Sequence, residues 1–105
     1  MAQARPGNDT AAPTVTVDDE LTFQTAADVR SKLLSAFGEA PVRVTVDLSG
    51  VAGFDLAGVQ VLYAAARTAE ARGVAFDVAY GDNEERFRKF YHFAGLKPLG
   101  TEAST

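Results

Sequence analysis

Between Val42 and Leu62 the apolar spacing of this chain switches from a period of two to a period near 3.6. Val42, Val44 and Val46 alternate with polar residues, the pattern of a buried strand. Asp47-Leu48-Ser49-Gly50 has turn chemistry, a short apolar connection follows, and a helix opens at Asp55 with Leu56, Ala57 and Gly58 in its first turn. The same change of period recurs on either side. Strands joined through helices run parallel and cross over right-handedly, so this pattern confines the chain to a small α/β sheet.

Val15 and Val17 share one face of a first strand, and Glu20-Leu21-Thr22 reads as a second after a turn at Asp18-Asp19. Thr25 with Asp28 marks a helix start, and Ala26, Val29, Leu33, Ala36 and Phe37 line that helix up to Gly38. The second helix spans Leu56 to Arg72, with Val59, Leu62, Tyr63, Ala66 and Ala69 inward and Gly73 as its stop. A strand over Val74 to Tyr80 follows. Asp82 and Glu85 form an expected capping box for a third helix, which buries Phe87, Phe90, Tyr91 and Ala94 and stops at Gly95; Leu96, Pro98 and Leu99 close the fold. The expected product is a mainly parallel sheet of about four strands with helices on one face. One domain over 14–100 lies between flexible tails at 1–13 and 101–105.

Composition narrows the function. Of 105 residues, 47% are hydrophobic and 23% charged, enough for one ordinary core. The absence of cysteine removes disulfides, thiolate metal sites and cysteine nucleophiles, and fits a cytoplasmic location. A net charge of −4 gains little from phosphate backbones, so nucleic acid is not an expected partner. No apolar run approaches the roughly 20 residues of a membrane span, and the N-terminus lacks a signal-peptide core, so neither membrane insertion nor export is expected.

The residues do not assemble an enzyme. His92 stands alone among Phe90, Tyr91 and Phe93, Ser49 has no histidine near it in sequence, and no Gly-rich phosphate loop with a following Lys-Ser or Lys-Thr occurs. No catalytic, metal or cofactor site is expected. Asp47 and Asp55 read as a turn former and an N-cap. A receiver-like phosphoacceptor built on Asp18, Asp19, Asp47 and Lys97 lacks its second βα unit, and Lys97 follows a helix instead of a strand.

The order Glu20-Leu21 to Thr25, Val46-Asp47-Leu48-Ser49-Gly50, Asp55-x-x-Gly58 with Leu62, Arg72-Gly73 and Ala94-Gly95-Leu96 resembles the STAS domains of anti-sigma factor antagonists across about Thr14 to Leu99. The resemblance implies a STAS fold and a non-catalytic module that binds another signalling protein. In switching members the Ser before the helix Gly is phosphorylated, and the dianion repels the partner. Here that position is Ala57, so no phospho-acceptor is expected there. The implied docking surface is Asp55, Leu56, Ala57, Gly58 and Gln60, with Asp55 capping the helix and Gln60 offering a polar contact. The run around Gln60 is similar to STAS proteins of chemotaxis and two-component signalling. The implied partner is an anti-sigma factor or serine kinase, a sensor kinase or another regulator. The alternatives are a STAS subunit of a lipid-trafficking ABC transporter, the receiver-like phosphoacceptor, and nucleotide binding at the Leu56 helix start.

Overall fold

A computed structural model describes residues 12–38 and 41–99. The chain forms β1 (Thr14–Thr16), β2 (Asp19–Leu21), α1 (Ala26–Phe37), β3 (Arg43–Asp47), β4 (Val51–Phe54), α2 (Leu56–Arg72), β5 (Ala75–Ala79), a 3-10 turn (Gly81–Asn83) and α3 (Glu84–Ala94). Among the described residues all strand pairs are parallel. One sheet has the order β1-β3-β5; a second contains β2 and β4. The expected tails fall outside the described residues apart from Ala12 and Pro13.

A single four-stranded sheet is therefore not what forms. Among the described residues five strands arise, in groups of three and two. The strand missed from sequence is β4, where Ala52 and Gly53 have weak strand preference. Pairing decides its conformation: β4 lies against β2, and Asp55 N–H donates to the Leu21 carbonyl at 3.2 Å. The two sheets are continuous in backbone bonding. Val17 N–H donates to the Asp47 carbonyl at 3.0 Å, and Asp19 N–H to the Gly50 carbonyl at 3.1 Å. The register breaks at Asp19, which sits at φ 66°, a left-handed conformation that Asp tolerates better than most residues.

Val15, Val46 and Val78 align across the three-stranded sheet and are buried. Behind them lie Val29, Leu33 and Phe37 of α1 and Val59, Leu62 and Ala69 of α2. Each fully buried Val, Leu or Phe contributes about 1.5–3 kcal/mol of transfer free energy. Val42 departs from the expected strand face. It precedes β3 and is 69% exposed, while its carbonyl accepts from Ala75 N–H. An aromatic cluster closes the other end: Phe54 stacks on Phe87 at 4.0 Å between ring centroids and meets Phe90 edge-on. Ala94, expected inside, is exposed.

Two expected caps differ in detail. Thr25 precedes α1, but its hydroxyl turns back, accepting from Thr22 N–H and donating to the Glu20 carbonyl. Asp82 and Glu85 do not form a capping box. A 3-10 turn intervenes, and the residue preceding α3 is Asn83.

Candidate functional site

The start of α2 is built around one carboxylate. Asp55 is extended, at φ −138° and ψ 179°, so its side chain folds over the first helical turn. Oδ1 accepts from Gly58 N–H at 2.9 Å, and Oδ2 accepts from Phe23 N–H at 3.1 Å. These backbone donors, Gly58 first, hold the Asp55 carboxyl below its ordinary value. The same carboxylate thus caps a helix and ties the loop after β2 to it.

Gly58 is buried because β2 passes directly beneath it. A Cβ built there would lie 2.0 Å from the Leu21 carbonyl oxygen, so no larger residue fits without displacing the helix. Gly58 consequently shapes the entrance without presenting a surface. Leu56 is 45% exposed, Gln60 is exposed, and Ala57 is half-buried between them. Sequence reasoning missed Phe23. This residue is 73% exposed, and its backbone is held to Asp55, the residue before Leu56. The available signal was a large apolar side chain between Thr22 and Gln24, in a polar loop.

A helix N-terminus attracts anions through its free N–H groups. Here Asp55 already supplies the negative charge and takes the Gly58 donor. The Gly58 donor is therefore already satisfied within the chain.

Asp47 is equally engaged. Its Oδ1 accepts from both the backbone N–H and the hydroxyl of Ser49, at 2.9 and 2.7 Å, and the Ser49 N–H leads in lowering its pKa. Ser49 in turn lies against Gly81, which has φ 58°; a Cβ there would approach the Ser49 Cβ to 2.5 Å. Among the described residues, no group of three or more His, Cys, Asp or Glu could hold a metal ion.

Asn83 fixes the loop leading into β4. Its side-chain amide donates to the carbonyls of Leu48 and Val51, both at 2.9 Å, and its oxygen accepts from Arg86 at 2.7 Å. Arg86 also donates to the Ala52 carbonyl and lies over the Phe54 ring. The strand that delivers Asp55 is thus clamped from α3.

The sequence profile described as Mlab, STAS domain matches residues 4–99. The chain belongs to the STAS family. Its fold is similar to that of the anti-sigma factor antagonist SpoIIAA in its unphosphorylated form, with a TM-score of 0.67 at 20% identity over 90% of this chain and 84% of that one. It is also similar to a sulfate transporter family protein from Wolinella succinogenes, with a TM-score of 0.63 at 17% identity over 83% of this chain and 72% of that one. No curated protein matches the chain significantly. Among the described residues, no helix of this STAS domain is long and apolar enough to cross a membrane.

Proposed function

We propose that this STAS domain docks a regulatory protein at the α2 entrance and that no phosphoswitch operates at Ala57. The observation that carries the reading is the solvent-facing turn made by Leu56, Ala57 and Gln60, held rigid by the Asp55 carboxylate. Asp55 and Gly58 shape the turn. Leu56 supplies apolar contact, Ala57 permits close backbone approach, and Gln60 supplies a polar contact. A methyl group accepts no phosphate, so docking here is constitutive or is regulated elsewhere. Similarity to anti-sigma factor antagonists favours an anti-sigma factor or serine kinase as the partner, with a sensor kinase or chemotaxis regulator as the related cases. The setting is cytoplasmic.

A second reading has the partner belonging to a transport system. The matches to the Mlab STAS profile and to a sulfate transporter family protein favour it. It uses the same surface and differs in the partner.

Affinity capture with the wild-type chain and with Ala57→Glu tests the proposal. A partner retained by the wild type and lost by the variant supports it; equal retention removes this surface from consideration. Capture of an anti-sigma factor or kinase rather than a transporter ATPase separates the two readings. Incubation with a captured kinase and ATP should leave the mass of the chain unchanged.

A further inference from the structure

The two helices behind the three-stranded sheet do not close fully on each other. A groove of about 110 Å³ remains between them, bounded by Arg30 and Leu34 of α1 and by Val61, Ala64 and Thr68 of α2. The cause is side-chain size. Ala64 and Ala65 bring only methyl groups to the interface, and the longer side chains of Leu33 and Phe37 do not fill the space left. Leu33, Phe37 and Ala65 make a floor that belongs to the core, whereas Leu34 on the wall is 39% exposed.

One residue gives this groove its charge. Arg30 is the charged side chain that lines it, and among the described residues no ion pair involves Arg30. The other charges of the two helices are placed elsewhere. Asp28 and Lys32 contact each other at 3.8 Å, and Arg67, Glu70 and Arg72 do not line the groove. Both helices return from one parallel strand to the next, so they run in the same direction. Arg30 and Val61 therefore stand at one end, and Phe37 and Thr68 at the other, about 10 Å further along. The result is an apolar slot with a guanidinium at one end and a hydroxyl at the other.

We propose that this groove binds a small aryl carboxylate, with the ring between the helices and the carboxylate on Arg30. The volume suits a single ring, since an apolar cavity of about 150 Å³ admits benzene. The planar guanidinium fork matches a carboxylate through two parallel hydrogen bonds. A nucleotide is a poor match, because its base, sugar and phosphates need a larger site with more than one base to meet them. The contact is weak and reversible, because the groove is small and Arg30 is exposed. It does not depend on docking at the α2 entrance.

The test is an NMR titration of the full chain with phenylacetate and with its neutral counterpart, phenylacetamide. The expected result is saturable shifts at Arg30, Leu34, Ala64 and Thr68 with a Kd of about 1 mM for phenylacetate. The amide should bind about fivefold more weakly. Arg30→Gln should lower the phenylacetate affinity about fivefold and leave that of phenylacetamide unchanged. Ala64→Leu should fill the groove and weaken both ligands at least about tenfold. Phe93→Ser, which removes an exposed ring outside the groove, should change neither. No saturable shift below about 20 mM phenylacetate overturns the proposal. Equal affinities for acid and amide overturn it too, as does a phenylacetate affinity that Arg30→Gln leaves unchanged. Arg30 is exposed, so its variant keeps the test decisive if circular dichroism shows that Ala64→Leu disturbs the fold.

Discussion

The backbone N–H of Phe23 points at the Asp55 carboxylate, 3.1 Å from Oδ2, across 32 residues of sequence. The α2 entrance is therefore two segments held by one side chain. Phe23 and Leu56 are exposed on either side of the residue that joins them. The surface depends on the fold around it, because Asp55 accepts from the loop after β2 and from its own helix at once.

That carboxylate makes the entrance sensitive to acid. Hydrogen bonds from Gly58 and Phe23 lower its folded pKa below the ordinary 3.8. A lowered carboxylate pKa gives stability that is fully present above the unfolded value and lost as pH falls through the folded one. Asp55→Asn keeps one acceptor and loses the other. Its Tm should lie below wild type at pH 7, and the gap should shrink as pH falls below about 4. Thermal melts across that range check it.

Gly58→Ala is expected to damage the fold from a position inside the proposed docking surface. The added methyl meets the Leu21 carbonyl at 2.0 Å, so α2 must lift from β2. A loss of about 3 kcal/mol in urea unfolding is expected. Ala57→Gly, one residue earlier and half-buried, should lose no more than about 1 kcal/mol.

Asn83→Ala removes the amide donor shared by the Leu48 and Val51 carbonyls. Both bonds are buried, so the loss should be about 2–3 kcal/mol. Arg86→Ala also removes interactions with this loop, but it leaves the Asn83 amide in place and should cost less. Chemical denaturation of the two variants gives the comparison.

Three tyrosines tie the segment after α3. Tyr91 donates to the Tyr80 hydroxyl, which donates to the Leu99 carbonyl, and Tyr63 donates to Lys97. Burial is the main cause that pushes the Tyr80 phenol up to about 12 and the Tyr91 phenol up as well. The fold thus favours the protonated phenol. Its contribution is complete below the ordinary value of 10 and lost as pH rises toward about 12. Phenolate absorbance and circular dichroism should change together above about pH 10. Tyrosine ionisation well before loss of structure would contradict this account.

Periodicity made much of the fold legible. The α2 boundaries, Leu56 to Arg72, follow from the apolar spacing between an N-cap and a glycine stop. Strand β4 was not legible, since Val51–Phe54 becomes a strand through its pairing with β2. The role of Asn83 was not legible either, since its side chain serves carbonyls more than 30 residues away. At the proposed docking surface, the Asp55 cap is a local signal and was readable. Phe23 is brought there only by tertiary contact, and the burial of Gly58 depends on a strand that local sequence does not place against it.

The most direct measurement is a calorimetric titration of the captured partner into the wild-type chain and into Ala57→Glu, each first shown to share the same circular dichroism spectrum. The account predicts that the wild type binds without prior treatment by any kinase or phosphatase, and that the added carboxylate weakens binding at least about 100-fold, or about 2.7 kcal/mol. Equal affinities for the two chains would contradict it.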